Sequence, residues 1–151
     1  MTGDDKSLLI AKFPTGRVDE PDFSPDGKWI AYNSNESGRD EVYAIPFPPT
    51  GARWQISSAG GMQPKWRGDG RELFFFAADG TMMAVDMKAA GSIQAGTPHA
   101  LFRTNVSVAG AVDQYVVSSD GQRFLIMNPV GNSKAATMTV ILDWPALLKN
   151  P

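Results

Sequence analysis

The chain has 151 residues, of which 42% are hydrophobic and 20% are charged, and its formal net charge is −2. This length and composition are those of one globular domain with a sizeable core. Acidic and basic residues are interspersed, which argues against a nucleic-acid footprint, and the absence of cysteine excludes a disulfide or a thiolate nucleophile. No apolar run is long enough to cross a bilayer, and the acidic N-terminus lacks the basic region of a signal peptide. We therefore expect a soluble chain that makes no membrane contact of its own.

The first predicted elements are a lone strand and a hairpin. Residues 7–13 form an apolar segment of outer-strand length, and the stretch PDFSPDGKWIAY follows at 21–32. Its Ser-Pro-Asp-Gly sequence suits a type I turn, because proline presets φ at the second position and Gly27 accepts a left-handed conformation at the fourth. The apolar run after the turn is typical of a strand that is covered on both faces. Further strands are predicted at 41–47 and 53–57.

The same block recurs twice along the chain. PKWRGDGRELFF at 64–75 keeps the proline, the aromatic residue, the Asp-Gly pair and the apolar run, and predicted strands follow at 81–87 and 99–104. QYVVSSDGQRFLIM at 114–127 keeps the Asp-Gly pair, has Ser119 in the place of the turn proline, and is followed by a predicted strand at 137–143.

The spacing of the repeated turns predicts the fold. The turn pairs are Asp26-Gly27, Asp69-Gly70 and Asp120-Gly121, and their glycines are 43 and 51 positions apart. An interval in the low forties is typical of one four-stranded propeller blade, and the longer second interval indicates an insertion. A β-sandwich is the alternative, but the repeat at blade-sized spacing favours an all-β propeller. We expect one unit of three four-stranded blades at about 17–58, 59–104 and 110–144.

The repeated block resembles the TolB-like repeat, a WD-related β-propeller repeat. Residues 20–32 and 64–76 carry the resemblance through the core Pro-x-aromatic-Ser-Pro-Asp-Gly-basic-x-apolar. The repeated block and the ending, DGQRFLIMNP followed by TMTVILDWPALLK, together resemble the C-terminal propeller of bacterial receptor-type serine/threonine kinases. The kinase signatures themselves are absent from the sequence, so the resemblance implies a sensory or scaffolding part of a signalling protein. In that setting the chain would be extracytoplasmic or periplasmic.

The leading functional prediction is a non-enzymatic propeller that binds a ligand or a protein partner, with no cofactor. The binding surface is expected at the channel mouth, where the three innermost strands begin. The predicted mouth residues are Asp19, Glu20, Gln63, Lys65, Asp113 and Gln114.

The alternative is an enzyme-associated propeller, either a metal-dependent lactonase-like module or a gate for a hydrolase. A metal site would need several convergent carboxylates, and Asp19, Glu20 and Asp113 supply only part of such a set. The lone histidine, His99, begins a predicted outer strand and has no G-x-S-x-G nucleophile to serve, so we interpret it as structural. We therefore expect neither catalytic residues nor a bound metal.

The strand count predicts self-association. Propellers close with about four to eight blades, whereas this sequence carries three repeats. The third repeat has only three predicted strands, and the segment at 7–13 has the length of the missing one. We therefore expect a homodimer in which two three-blade halves close a six-bladed ring and exchange the strand at 7–13.

Overall fold

The structure, a computed structural model, describes residues 16–90, 92–108, 113–129 and 136–142. These residues form twelve β-strands and contain no helix. All strand pairs among them are antiparallel, and the strands belong to three successive sheets. The all-β prediction is confirmed.

The first sheet is a four-stranded meander in the order β1-β2-β3-β4. Its strands are β1 (Val18–Phe23), β2 (Trp29–Ser34), β3 (Glu41–Pro46) and β4 (Trp54–Gln55). The outer strand is therefore shorter than the predicted 53–57.

The second sheet contains a hairpin that the sequence indicated only as an insertion. Its strands are β5 (Met62–Trp66), β6 (Glu72–Phe76), β7 (Thr81–Ala90), β8 (Ser92–Ala95) and β9 (His99–Arg103). The first half of β7 pairs with β9, and its second half runs on and pairs with β8. This β7–β8 hairpin contributes only part of the longer interval between the second and third turns. The segment from the outer strand to the next turn is also longer, at 22 positions from His99 to Gly121 against 16 from Trp54 to Gly70.

The third sheet has the order β10-β11-β12, with β10 at Tyr115–Val117, β11 at Arg123–Pro129 and β12 at Ala136–Leu142. The predicted strand at 7–13 lies outside the described residues. The blade limits of 17–58, 59–104 and 110–144 stay a prediction.

The middle sheet is buried on both faces. Leu73 and Phe75 pack toward the first sheet, in a core with Trp29. Phe74 and Phe76 pack in the opposite direction, in a core that contains Phe124 of the third sheet. Double burial explains why the apolar run in β6 does not alternate with polar residues.

The outward faces of the two outer sheets differ. On the first sheet, Ile30, Tyr32, Tyr43 and Ile45 form a separate buried cluster that is joined by Phe47. On the third sheet, the side chains exposed to solvent include Val116, Met127 and Val140.

The three repeated turns share one geometry. Gly27, Gly70 and Gly121 have φ of +69°, +72° and +71°, the left-handed conformation that the turn chemistry demands. The amide of each glycine donates to the carbonyl three residues earlier, at 2.8 to 2.9 Å. In each turn the aspartate before the glycine accepts a hydrogen bond from the amide two residues further on. The aspartates therefore hold the turns closed.

Candidate functional site

Five of the predicted mouth residues lie near the start of the inner strands β1 and β5 or immediately before β10, and Glu20, Gln63 and Gln114 take equivalent places. Lys65 is the fourth residue of β5. Glu20 and Gln63 are the non-glycine residues with positive φ among the described residues, at +55° and +57°. Each lies in a β-bulge and precedes a proline. A left-handed conformation is costly for residues with a side chain, so the surrounding contacts must enforce it.

Those contacts form a polar row that joins the three sheets. The amide of Gln63 donates to Oε2 of Glu20 at 3.0 Å, and the amide of Gln114 donates to Oε1 of Gln63 at 2.8 Å. Nε2 of Gln63 also donates to Oε1 of Gln114 at 3.1 Å. At both junctions, the side chain at the bulge of one inner strand thus accepts a hydrogen bond from the backbone amide of the equivalent residue in the next sheet. We call Glu20, Gln63 and Gln114 the polar row.

Charged residues surround the polar row. Nζ of Lys65 lies 2.8 Å from Oδ2 of Asp113, and this ion pair links the second and third sheets. Asp19 forms an ion pair with Nε of Arg17, whose Nη2 also donates to Asp40 at 3.2 Å. The six predicted mouth residues are therefore brought to one end of the sheets. Ligand binding by these residues stays a prediction.

Burial shapes the electrostatics of two carboxyl groups at the mouth. Desolvation raises the pKa of Glu20, and the hydrogen bond from the Gln63 amide partly opposes it. Desolvation also raises the pKa of Asp22. The amide of Trp66 donates to Oδ2 of Asp22 at 2.8 Å and partly opposes this increase. The indole Nε1 of Trp66 donates to the carbonyl of Asp22 at 3.2 Å. Asp22 is thus a second polar link between the first and second sheets.

Asp22 and Tyr115 were not among the predicted site residues. Asp22 takes the same repeat position as Lys65, and this alignment was the signal that could have found it. Tyr115 replaces the proline of the first two repeats and is 2% exposed. Its hydroxyl donates to the carbonyl of Gln63 at 2.8 Å, and its burial raises its pKa well above the ordinary value. A proline cannot make this link.

Grouped metal ligands and the lone histidine, His99, are the features that bear on the enzyme alternative. In residues 16–90, 92–108, 113–129 and 136–142, no three histidine, cysteine or acidic side chains are grouped to hold a metal ion. His99 is exposed at the start of β9, where it pairs with Ala84. In that same part of the chain, no helix is long and apolar enough to span a membrane.

The fold resembles solved β-propellers. TolB from Acinetobacter baumannii matches with a TM-score of 0.63 and 19% identity, over 90% of this chain and 32% of that one. The protein assigned as TolB in Agrobacterium tumefaciens matches with a TM-score of 0.62 and 15% identity, over 90% of this chain and 48% of that one. Oligogalacturonate lyase from Vibrio parahaemolyticus matches with a TM-score of 0.57 and 14% identity, over 77% of this chain and 31% of that one.

The sequence comparisons are narrower. No protein-family model matches the chain. An uncharacterised protein from Agrobacterium fabrum is 47% identical over 30 residues, which is 20% of this chain and 10% of that protein.

The chain therefore has a fold like that of TolB-like β-propeller proteins. It spans about a third to a half of the length of the two TolB structures. The resemblance to the propellers of receptor-type kinases stays a prediction.

Proposed function

We propose that this chain is a non-catalytic part of a β-propeller that binds a ligand or a protein partner at the channel mouth, as the sensor or scaffold part of a larger signalling protein. The observation that carries the proposal is the polar row. Glu20 and Gln63 are held in a costly backbone conformation at equivalent bulges, and such outliers often mark sites where geometry serves a function.

The mouth has the chemistry of a polar recognition surface. Asp113 is half exposed beside the largely buried Lys65, so a partner can reach the carboxylate of this ion pair. The backbone around the pair is fixed by the polar row, and a fixed surface loses little entropy when it binds.

A thermal-shift screen with peptides, oligosaccharides and nucleotides tests this proposal. A ligand that binds at the mouth should raise the melting temperature of the wild type but not that of the double variant Lys65→Ala/Asp113→Ala. The matched control is Asp86→Ala/Lys88→Ala, which removes one exposed acid and one exposed base from β7. A ligand whose stabilising effect survives in the mouth variant, or is lost equally in the control, would contradict binding at the mouth.

The alternative is an enzyme-associated propeller. Its support is the fold likeness to oligogalacturonate lyase, including a structure of that lyase in complex with manganese that matches with a TM-score of 0.51. At 14% and 15% identity this likeness concerns the fold alone. A metal-dependent reaction here would have to use Asp19, Glu20 and Asp113, and two of these already take part in hydrogen bonds or ion pairs between sheets.

We further propose that the three sheets are half of a six-bladed ring that a second copy closes, with the strand at 7–13 exchanged. The exposed apolar side chains of Val116, Met127 and Val140 support an unfilled position beside the third sheet. On the outward face of the first sheet, Phe23 is 50% exposed but Ile30, Tyr32, Tyr43 and Ile45 are buried in the single chain. Ring closure therefore requires these four side chains to be uncovered.

Light scattering coupled to gel filtration tests the ring. It should give the mass of a dimer for the full chain and of a monomer after deletion of residues 1–13. A full-length monomer would contradict ring closure, and a dimer that survives the deletion would contradict the exchanged strand.

A further inference from the structure

A cleft of about 220 Å³ opens between the first and second sheets, at the end opposite to the channel mouth. Its walls include the repeated turns of the two sheets, and Trp29, Trp66 and Met87 line its inner part. The carboxylates of Asp26 and Asp69 stand on the two turns that border it. The cleft therefore combines an aromatic interior with two acidic groups.

The equivalent position between the second and third sheets is occupied by a side chain of the protein itself. Arg67 extends from the second turn onto the third, so that a Cβ added to Gly121 would lie 3.1 Å from its Cδ. Its Nη1 lies 2.7 Å from Glu72 and its Nε 3.4 Å from Asp69. At this junction, the guanidinium group of Arg67 thus lies beside the carboxylates of Glu72 and Asp69.

Backbone contact also closes the second junction. The amide of Gly68 donates to the carbonyl of Ser119 at 3.0 Å, and this bond ties the second turn to the third. The repeat position of Gly68 is Pro25 in the first turn, and proline has no amide hydrogen to donate. The first junction cannot form the same bond.

Sequence differences at two positions therefore explain why the second and third turns approach closely while a cleft opens between the first and second sheets. Arg67-Gly68 fills and closes the second junction, whereas Ser24-Pro25 leaves the first open. The two turn aspartates are retained, because Asp26 and Asp69 take the positions that Asp69 and Asp120 take at the second junction. Glu72, the nearest partner of Arg67, is replaced by Trp29 at the first junction.

We propose that the cleft between the first two sheets binds an organic cation, a guanidinium or ammonium group on a short apolar stem. The group would lie between the carboxylates of Asp26 and Asp69, in the position that Arg67 occupies at the next junction. The stem would contact the tryptophan side chains, which also favour cations through their ring faces.

The charges at the cleft fit this ligand. Hydrogen bonds from the hydroxyl of Ser24 and the amide of Lys28 lower the pKa of Asp26, so its carboxylate is ionised at neutral pH. The cation nearest to Asp26 is Lys28, at 3.6 Å, and those nearest to Asp69 are Arg67, at 3.4 Å, and Arg71, at 3.9 Å. The side chains of Lys28 and Arg71 are 74% and 82% exposed, and such exposed pairs are weak enough for a ligand to displace. Arg67 is 28% exposed and also bound to Glu72, so the ligand would share Asp69 with it.

An NMR titration with butylguanidine, a guanidinium on a four-carbon stem, tests the proposal. The amide of Gly70 and the indole of Trp66 should shift in a saturable way. Butylurea is the neutral control, because it has a similar planar head and stem but no charge, and it should leave these signals unchanged. Butylguanidine that fails to shift them, or butylurea that shifts them equally, would overturn the proposal.

Two pairs of variants separate binding from stability. Ser24→Arg supplies an internal guanidinium, as in the second repeat, and should abolish butylguanidine binding. Its control is Ser118→Arg, because Ser118 accepts from the amide five residues on at 3.0 Å just as Ser24 does. Asp26→Asn should weaken binding by about tenfold or more, the effect of losing a charged hydrogen-bond partner, whereas Asp120→Asn in the third turn should not.

If Ser118→Arg or Asp120→Asn weakens binding as much as its counterpart in the first turn, the site is elsewhere and the proposal is wrong. The cleft and the channel mouth lie at opposite ends of the sheets. Failure here would therefore leave the proposal for the mouth untouched.

Discussion

Gly68→Ala is predicted to separate the second and third sheets at their turns. A Cβ at this position would lie 2.6 Å from the carbonyl oxygen and 2.9 Å from the Cα of Ser119. Both contacts are with backbone, so a change of rotamer cannot relieve them. The turns must move apart by several tenths of an ångström, and the 3.0 Å hydrogen bond from the Gly68 amide must lengthen.

The magnitude follows from these two losses. Overpacking of a close contact costs about 1–3 kcal/mol, and a lost hydrogen bond costs about 1 kcal/mol. We therefore expect the free energy of unfolding to fall by about 2–4 kcal/mol. The matched control is Gly27→Ala in the first turn, where an added Cβ meets no atom within 4 Å. That substitution carries only the penalty of a left-handed alanine, about 1–2 kcal/mol at a φ of +69°.

Urea denaturation with linear extrapolation measures both costs. The reasoning requires Gly68→Ala to be the more damaging of the two substitutions. If Gly68→Ala is tolerated as well as Gly27→Ala, or better, the close approach of the second and third turns is refuted.

Two further predictions concern buried carboxyl groups. The raised pKa of Glu20 means that its contribution to stability is present below its unfolded pKa and is lost as pH rises through its folded pKa. As pH rises from the unfolded to the folded pKa of Glu20, the free energy of unfolding of Glu20→Gln should therefore increase relative to that of the wild type. Urea titrations measure this difference, and a difference that does not vary with pH would contradict the burial of Glu20. Glu41 is 1% exposed and accepts hydrogen bonds from Gly60, Ser57 and Arg39. Glu41→Gln should lower the free energy of unfolding by about 3 kcal/mol, and a loss below about 1 kcal/mol would show that the carboxylate is dispensable.

Local turn chemistry made much of the fold predictable. The Asp-Gly pairs and the apolar runs after them are short-range signals, and they located the three hairpins and the strands that follow. The register of β4 was harder to predict, because Trp54 and Gln55 pair with β3 over two residues only. The extension of β7 was also missed, since Lys88 and the alanines after it carry no strong strand signal.

The place of the site was predictable, but its bonding was not. Repeat alignment put Glu20, Gln63 and Gln114 at one position, and this is enough to gather them at one end of the sheets. Which atom donates to which depends on the left-handed backbone at Glu20 and Gln63. Non-glycine residues rarely adopt that conformation, so sequence reasoning has no ground to expect it.

Long-range partners of single residues were invisible in the sequence. No sequence prediction singled out Tyr115, whose hydroxyl links two sheets. Glu41 was read as the start of a strand, although it is buried and holds the loop that leads to β5. Both roles depend on residues 16 or more positions away, whose placement follows only from the packing of the sheets.

The central claim is that the channel mouth binds without catalysing a reaction, and an assay of turnover tests it most directly. Purified protein should be incubated with oligogalacturonate and manganese, and separately with a sugar lactone and a divalent metal. The account predicts no product above the protein-free blank in either assay. Turnover that is abolished by Glu20→Gln or Asp113→Asn, in variants that remain folded, would contradict it and would assign the mouth to an enzyme.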